Sequence, residues 1–401
     1  MSEEILRIAA KGDGVTASGR HVPMTAPGDI VAEDGAITPG PHHAQPRCRH
    51  FAKCGGCQLQ QLDEESWSAF VTDRVANAAS GQGLEPLDFE AAHLSAPQSR
   101  RRATLHAEGR GKSVRIGFRE GRSHQIVDMA ECPVLSSELF AVVAPIRAFL
   151  SRFARKRLAA DVHLTLADQG VDCNIKGFTP EGLAQIEATI AFAQESGLAR
   201  LTMDDGYGPE THWEPEPITV TLGAPGSGVP VSLPPGSFLQ PTREGEAALI
   251  ADARDWLSGA RTVADLFSGL GTFAFALSGD AKVLAAEAAR DAHMACKTAA
   301  GAAQRPVFAQ HRDLFRNPLL AEELAKFDAV LLDPPRAGAK EQVTRLAASS
   351  VARICYISCN PASWAKDAAA LVASGYRLER LRPVGQFRWS THVELASLFV
   401  R

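Results

Sequence analysis

Apolar segments that alternate with helical patterns dominate the C-terminal part of the chain. In order they are Thr262-Val-Ala-Asp-Leu, Lys282-Val-Leu-Ala-Ala-Glu, Phe327-Asp-Ala-Val-Leu-Leu-Asp and Arg353-Ile-Cys-Tyr-Ile-Ser-Cys. Short apolar strands separated by helices need crossover connections, and such connections give a largely parallel sheet with helices on both faces. We therefore predict a doubly wound α/β domain here, with its functional site at the carboxyl ends of the strands.

A glycine turn follows the first of these strands. Gly269-Leu-Gly-Thr-Phe-Ala274 fits the pattern GxGxxG/A, and Glu287 stands about where a ribose-binding acid is expected. The pattern alone does not separate nicotinamide dinucleotides from S-adenosylmethionine. Because Asp265 precedes the turn and Asp333-Pro-Pro-Arg336 lies downstream, we predict a Rossmann-like domain that binds S-adenosylmethionine. A nicotinamide cofactor is the alternative.

Cys359 ends a strand directly before an Asn-Pro turn, which makes its thiol a candidate nucleophile. Beside a methyl donor, addition of the thiolate to carbon 6 of a pyrimidine makes carbon 5 enolate-like, so that carbon 5 can take the methyl group. A base must then remove the carbon 5 proton. His392 and Glu394 lie on one side of the final extended segment, and Glu394 is the predicted base.

Four other cysteines suggest a metal centre. Cys48, Cys54 and Cys57 are crowded into one short segment with two glycines, and Cys132 stands alone before Pro133. Three clustered cysteines and a remote one before proline are typical of a four-thiolate 4Fe-4S iron-sulfur cluster. Zinc and unrelated thiols are the alternatives. We interpret the remaining cysteines, apart from Cys359, as structural.

Residues 1–46 alternate short apolar pieces with Gly and Pro, which is the pattern of a small β-barrel with frequent turns. Gly12-Asp-Gly-Val and Ala26-Pro-Gly-Asp-Ile-Val resemble the TRAM domain, an OB-like RNA-binding barrel, in a short form. A poorly ordered arm is the alternative interpretation.

Residues 97–124 are rich in cations, although the whole chain has a formal net charge of −4. A local excess of this kind predicts a phosphate-binding surface that positions RNA without reading its sequence. A solvated hairpin face is the alternative. The cations are Arg100, Arg101, Arg102, Arg110, Lys112, Arg115, Arg119 and Arg122.

At 401 residues the chain is too long for one ordinary core, and a Pro/Gly-rich passage over 215–235 marks a boundary. We predict a TRAM-like barrel over 1–46, a central α/β RNA-binding domain with the cysteine motif over 47–232, and a methyltransferase domain over 233–401. No export signal and no bilayer-spanning apolar stretch are present in the sequence, so we expect a cytoplasmic protein without a membrane partner. A monomer is the default expectation.

Taken together, these motifs resemble those of the 5-methyluridine RNA methyltransferases over essentially the whole chain. Besides the short barrel and the cysteine quartet, the matching pieces are Phe238-Leu-Gln-Pro-Thr, Asp265-Leu-Phe-Ser-Gly-Leu-Gly, Asp333-Pro-Pro-Arg-Ala-Gly, Ser358-Cys-Asn-Pro and His392-Val-Glu. The resemblance implies methylation of carbon 5 of a uridine in RNA, with Cys359 as nucleophile and Glu394 as base. The cysteine motif is typical of the bacterial enzymes that act on 23S ribosomal RNA, so 23S rRNA is the expected partner and tRNA the alternative.

The resemblance also implies a set of cofactor contacts. They are Gln240, Phe267, Gly269, Thr272, Glu287, Asp313 and Asp333. Two positions depart from the family pattern, since the usual Asn after the glycine turn is Thr272 and the FxQxN motif ends in Thr242; both keep a hydroxyl. We expect the cluster to be structural or to support RNA binding, because methyl transfer needs no electron, with redox sensing as the alternative.

Two rival functions remain compatible with the sequence. One is the same chemistry on carbon 5 of cytosine, where a cysteine nucleophile also serves. The other is an iron-sulfur RNA-binding or redox-sensing protein whose catalytic site is idle. A base in a His-x-Glu sequence on the final strand favours uracil over cytosine.

Overall fold

The structure is a computed structural model that describes residues 2–110, 113–121, 123–154 and 158–401. Of the predicted cationic surface, Lys112, Arg122 and the Arg110 side chain lie outside the described residues. The chain forms two compact units. The first runs to Phe70 and resumes over Ser95–Ile218 and Phe387–Thr391, and the second comprises Val71–Leu94, Thr219–Gln386 and His392–Arg401.

The first unit opens with five short strands in the hydrogen-bonded order β3-β2-β1-β4-β5, and each neighbouring pair is antiparallel. Their bounds are β1 (Glu3–Ile8), β2 (Gly14–Thr16), β3 (His21–Val22), β4 (Ile30–Val31) and β5 (Ile37–Thr38). Ile5, Val22 and Val31 form a small buried core between them. The turn-rich segment is thus a compact β element. Helix α1 (Glu64–Ser80) and the short strands β6 (Asp88–Phe89) and β7 (His93–Leu94) follow along the chain.

A six-stranded sheet with helices on its apolar face makes up the rest of the first unit. The elements are β8 (Arg102–Arg110), β9 (Ser113–Gly117), α2 (Ser137–Ala141), α3 (Val143–Ser151), β10 (Leu158–Leu166), β11 (Val171–Lys176), α4 (Gly182–Glu195), β12 (Arg200–Asp204) and β13 (Glu210–Trp213). The strand order is β13-β12-β11-β10-β8-β9. Alternate residues of β10, such as Val162 and Leu164, enter a core with Ile146 and Phe149 of α3.

The cations at the start of β8 are more enclosed than the sequence predicts. Arg101 is buried, and burial lowers the pKa of Arg102 to about 10. The Arg100 guanidinium lies 5.5 Å from the Phe387 ring centroid, and its Nε donates to the Arg102 carbonyl. Arg101 therefore does not belong to a solvent-facing phosphate surface, whereas Arg115 is exposed.

The second unit contains the predicted alternation of strands and helices. In chain order its elements are β14 (Thr219–Leu222), β15 (Val229–Ser232), α5 (Arg243–Trp256), β16 (Thr262–Leu266), α6 (Thr272–Leu277), β17 (Lys282–Glu287), α7 (Arg290–Ala302), β18 (Val307–His311), α8 (Ala321–Leu324), β19 (Ala329–Leu332), α9 (Lys340–Ala347), β20 (Arg353–Ser358), α10 (Pro361–Ala373), β21 (Arg377–Gly385) and β22 (Glu394–Val400).

The hairpin β14–β15 is a sheet of its own, and the strands from β16 to β22 join β6 and β7 in one nine-stranded sheet. Its order is β18-β17-β16-β19-β20-β22-β21-β6, with β7 also paired to β21. The strands from β18 to β20 are all parallel, and β22 runs antiparallel to both of its neighbours. Helices connect the parallel strands, as crossover connections require. The prediction of a Rossmann-like C-terminal domain is confirmed.

The spatial boundary between the units differs from the predicted boundary at residue 232. The hairpin β14–β15 belongs to the second unit, because β14 contacts α6, β15 contacts α7, and Val220 and Val231 are buried there. Residues 71–94 also join the second unit, since β6 and β7 pair with β21. Within the described residues, no helix has the length and apolar character needed to span a membrane.

Candidate active site

The strand order reverses between β16 and β19, and a cavity of about 660 Å³ opens at the carboxyl ends of these strands. In open α/β sheets, such a reversal leaves a crevice because the loops on its two sides turn in opposite directions. The residues directly after β16, β19 and β20, the last residue of β17 and the first residue of β22 line the cavity: Phe267, Asp333, Cys359, Glu287 and Glu394. The fold thus brings the two predicted catalytic residues and three predicted cofactor contacts to one site.

The glycine turn after β16 is held in an unusual backbone conformation. Phe267 has φ 65° although it is not glycine, and Gly269 and Gly271 have φ 53° and 94°. Glu287 fixes the turn, because its Oε2 accepts from the Gly269 N–H at 2.9 Å and its Oε1 accepts from Ala289 N–H at 2.6 Å. The acid that the sequence assigns to ribose binding therefore also organises the turn.

Asp265, the acid before the turn, is fully buried in β16. Among the described residues, neither carboxyl oxygen of Asp265 has a partner in good hydrogen-bond geometry, although the Ala274 backbone N–H is close enough to lower its pKa slightly. Burial, with Asp333 and Glu287 nearby, raises the pKa of Asp265 to about 8. Asp265 is not among the lining residues of the cavity, whose wall after β16 starts two residues later at Phe267.

Phe315 is a cavity residue that the sequence did not point out. Its ring lies 5.4 Å from that of Phe267, centroid to centroid. Asp313, a predicted cofactor contact, uses Oδ1 to accept from the backbone N–H of Phe315 at 3.0 Å. The carboxylate of Asp313 therefore shapes the loop that carries Phe315. Its neighbours in the sequence, Arg312 and Leu314, line the cavity.

Cys359 sits at the lip of β20, as the sequence predicts. Asn360 caps α10 through Oδ1, which accepts from the Ala362 N–H at 3.2 Å, and its Nδ2 donates to the Arg336 carbonyl at 3.0 Å. These bonds fix the turn that carries the thiol. Burial, Glu394 and Asp333 raise the pKa of Cys359 to about 11, and Arg336 acts in the opposite direction.

Glu394 begins β22 and lies across from Cys359. Ser358 pairs with Leu395 in the antiparallel ladder between β20 and β22, so the next step of the ladder places Cys359 opposite Glu394. Glu394 is almost fully buried. Burial and the nearby Asp333 raise the pKa of Glu394 to about 8. His392, by contrast, is exposed, and its Nδ1 lies 2.9 Å from Arg336 Nη2.

A chain of buried amides joins the two carboxyl groups of the site. Gln240 Nε2 donates to Asp333 Oδ2 at 3.2 Å, and Gln386 Nε2 donates to Gln240 Oε1 at 2.8 Å and to Glu394 Oε2. Burial raises the pKa of Asp333 to about 7, and the Gln240 bond opposes that shift. Gln386 was missed at the sequence level; the one available signal was a lone amide after an apolar strand end.

The two departures from the family pattern have structural positions that suit threonine. Thr242 is the N-cap of α5, and its Oγ1 accepts from the Gly245 N–H at 3.0 Å. Threonine and asparagine are both favoured N-cap residues, so the substitution keeps the cap. Thr272 is the first residue of α6 and lines the cavity.

The first unit gathers Cys48, Cys54, Cys57 and Cys132 around one separate pocket. Two hydrogen bonds between backbone and side chain join the two cysteine segments. The Arg49 N–H donates to the Glu131 carboxylate at 2.5 Å, and the Ala130 N–H donates to His50 Nε2 at 3.0 Å.

Glycine is needed in the loop beside these cysteines. A Cβ at Gly55 would lie 2.8 Å from the Arg119 carbonyl oxygen. Burial raises the pKa of the Cys57 thiol to about 12, with the other three thiols adding to the shift. Among the described residues, no three His, Cys, Asp or Glu side chains have the spacing of a site for one metal ion.

Known proteins resemble the chain over its whole length. Residues 306–401 match the family model described as tRNA (Uracil-5-)-methyltransferase. A Zymomonas mobilis protein named as an RNA methyltransferase is 49% identical over 100% of both chains. The 23S rRNA (uracil(1939)-C(5))-methyltransferase RlmD of Erwinia tasmaniensis is 30% identical over 91% of this chain and 84% of its own.

A solved structure shares the fold. The tRNA (uracil-54, C5)-methyltransferase of Pyrococcus abyssi, in complex with S-adenosyl-L-homocysteine, superposes with a TM-score of 0.76 at 22% identity. The match covers 100% of this chain and 99% of the archaeal one. At this identity the likeness concerns the arrangement of the elements.

Substitution Gly271→Ala tests the glycine turn. A Cβ there would lie 2.8 Å from Cys296 Sγ, at a backbone φ of 94° that disfavours any side chain. A residue strained in this region costs about 1–3 kcal/mol, and a shift of the turn relieves that strain. Because the shifted turn no longer fits the cofactor, we expect the folded variant to bind S-adenosylmethionine about tenfold more weakly or worse. Isothermal titration calorimetry measures the Kd.

The control is Gly279→Ala, since a Cβ at Gly279 meets nothing within 4 Å. That variant should bind like the wild type. A folded Gly271→Ala protein with wild-type affinity would show that the turn tolerates a side chain and does not set the cofactor site.

Proposed function

The chain belongs to the family of S-adenosylmethionine-dependent RNA uracil-C5 methyltransferases, and we propose that it methylates carbon 5 of one uridine in 23S ribosomal RNA. The observation that carries the mechanism is the placement of Cys359 and Glu394 across adjacent strands in one cavity. Two points support the ribosomal target. One is the RlmD relative, and the other is the cysteine motif, which resembles that of the family's ribosomal enzymes.

S-adenosylmethionine supplies the methyl group in this family. The residues proposed to hold it are Gln240, Phe267, Gly269, Thr272, Glu287 and Asp333, which line the cavity, and Asp313, which accepts from the Phe315 backbone. The backbone of the glycine turn can approach the amino acid part closely because Gly269 carries no side chain. Phe267 and Phe315 offer apolar ring surface in the same cavity.

Cys359 begins the reaction by adding to the uracil ring. Its Sγ, as the thiolate, forms a bond to carbon 6, and the electron pair of the carbon 5–carbon 6 double bond makes carbon 5 an enolate-type nucleophile. Carbon 5 takes the methyl group, and S-adenosylhomocysteine is left behind. The uracil must leave its stack to enter the cavity, as in other enzymes that modify bases. Because the pKa of Cys359 is raised to about 11, the thiolate is scarce at neutral pH, and we expect addition to speed up as the pH rises.

Glu394 completes the reaction by taking the proton from carbon 5. The electron pair of the broken carbon–hydrogen bond then forms the carbon 5–carbon 6 double bond, and the carbon–sulfur bond breaks to release the Cys359 thiolate. A general base works best when its pKa is near the working pH. Burial and Asp333 raise the pKa of Glu394 to about 8, which places it in that range.

Cys48, Cys54, Cys57 and Cys132 are proposed to hold a 4Fe-4S cluster. Four thiols around one pocket suit such a cluster, since each iron takes one thiolate. The Gly56 N–H lies 3.5 Å from Cys54 Sγ, and hydrogen bonds to ligand sulfurs are common around such clusters. The cluster would tie the loop that carries Cys48, Cys54 and Cys57 to the segment that carries Cys132, and nothing in the methyl transfer itself uses it.

Replacement of the nucleophile tests the covalent step. We expect Cys359→Ala to abolish methylation, because no thiolate adds to carbon 6. Covalent trapping of RNA that contains 5-fluorouracil should be lost as well. In the wild type the carbon–sulfur bond persists on this RNA, because the base cannot remove fluorine from carbon 5 as it removes a proton. Denaturing gel electrophoresis detects the trapped complex. The control Cys355→Ala changes a buried thiol of the same strand and should keep trapping. Full methylation by Cys359→Ala would contradict the mechanism.

Replacement of the base tests the elimination. With Glu394→Gln we expect turnover to fall by about 100-fold or more, the lower range for loss of a general base. A methylated covalent protein–RNA adduct should accumulate, and mass spectrometry of the adduct identifies it. Glu379→Gln, on the adjacent strand β21, should turn over normally. Normal turnover by Glu394→Gln would remove Glu394 from the role of base.

The metal content tests the cluster. Protein purified without oxygen should contain about four iron and about four sulfide per chain, as a 4Fe-4S cluster requires. We expect Cys132→Ser to lose most of the iron and Cys173→Ala, a buried thiol in β11, to retain it. Stoichiometric zinc without sulfide in the wild-type protein would replace the cluster by a zinc site.

A further inference from the structure

Gln386 is a buried amide directly after β21 that neither the motifs nor the reaction scheme uses. Its side chain is 1% exposed. The Nε2 group donates two hydrogen bonds, one to Gln240 Oε1 at 2.8 Å and one to Glu394 Oε2. Gln386 therefore contacts the proposed base directly. It is linked to Asp333 through Gln240, which donates to Asp333.

The neighbours of the Gln386 amide fix its orientation. An amide can present either two N–H donors or a carbonyl acceptor to its surroundings. Both groups beside Nε2 are oxygen acceptors, so a flipped amide would set its carbonyl against two other oxygens. Among the described residues, Gln386 Oε1 accepts no hydrogen bond. A flip would therefore lose both hydrogen bonds and gain none, so the N–H end of the Gln386 amide stays directed at Glu394.

Gly245 provides the space for this arrangement. A Cβ at Gly245 would lie 2.5 Å from Gln386 Oε1 and 2.9 Å from its Cβ. Gly245 belongs to the first turn of α5, which Thr242 caps. Two residues close together in the sequence therefore hold the Gln386 side chain. Gln240 accepts its hydrogen bond, and Thr242 caps the helix turn that contains Gly245, against which Gln386 packs.

We propose that Gln386 is a positioning residue for the elimination step, holding Oε2 of Glu394 so that the other carboxyl oxygen receives the proton from carbon 5. The inference rests on the proposed function, because it assumes that Glu394 is the base. A hydrogen bond to a carboxylate favours the ionised form and restricts its rotation. In a cavity where burial and Asp333 both disfavour that ionised form, Gln386 provides the opposing contact.

The variant Gln386→Met tests the proposal, since methionine keeps the length of the side chain and removes the amide. Trapping of 5-fluorouracil RNA should stay within about twofold of wild type, because trapping does not need the base. On RNA with ordinary uridine, kcat should fall about 10- to 100-fold, the loss expected for one hydrogen bond to a charged group. KM should fall with it and kcat/KM should change little, because elimination comes after the methyl transfer. A methylated covalent adduct should accumulate on that RNA.

A pH profile gives a readout that a merely structural role would not move. In single-turnover experiments with the wild type, elimination should rise as the pH passes through about 8, the pKa of Glu394 in its buried site. Gln386 lowers that pKa, so its removal should move the rise to higher pH. The control is Gln342→Met, which removes a fully buried glutamine bonded to the backbone of Leu319 and should leave the profile unchanged.

Two further results distinguish the positioning role of Gln386 from the proposed methyltransferase function. If Gln386→Met does not fold, Gly245→Ala displaces the same amide without removing it and should show the same adduct and the same shift in pH, to a smaller extent. Wild-type kcat, no adduct and an unshifted profile in a folded Gln386→Met protein would overturn the positioning role. Failure of the wild-type protein to trap 5-fluorouracil RNA or to methylate uridine would instead overturn the proposed function, and the positioning role with it.

Discussion

The antiparallel pairing of β22 with β20 is the constraint on which the site depends. Cys359 directly follows a parallel strand, and Glu394 begins a strand that runs the other way, so this ladder brings the two residues to the same end of the sheet. Side chains alternate between faces along a strand, and a slip of one residue would turn Glu394 away from Cys359. The buried run from Glu394 to Phe399, between β20 and β21, makes such a slip costly.

A second constraint is electrostatic. Glu394 and Asp333 face one cavity, and each pKa is raised, to about 8 and about 7, chiefly by burial. Buried carboxyl groups are unfavourable unless hydrogen bonds stabilise them. Gln240 and Gln386 supply those bonds in sequence, with the donor of each amide directed at the next oxygen. By donating to Asp333 and Glu394, the two amides stabilise the ionised forms of both carboxyl groups in one buried site close to neutral pH.

The sequence predicted those features that depend on local patterns of apolar and polar residues. Alternating strands and helices predict the sheet, and Cys359, Glu287 and Asp333 fall at strand ends because the apolar runs stop there. Gln386 and Phe315 could not be predicted, since their roles depend on contacts with segments far away in the chain. The enclosure of Arg101 and the transfer of the β14–β15 hairpin to the second unit are likewise tertiary effects that composition does not encode.

Mapping the methylated nucleotide tests the central claim most directly. Total RNA from a strain that lacks the gene is incubated with the purified protein and S-adenosylmethionine labelled on the methyl group, and the labelled nucleotide is located by digestion and mass spectrometry. The account predicts label as 5-methyluridine at one position of 23S ribosomal RNA. Label in tRNA would contradict the proposed target, and label in cytosine, or none, would contradict the proposed chemistry.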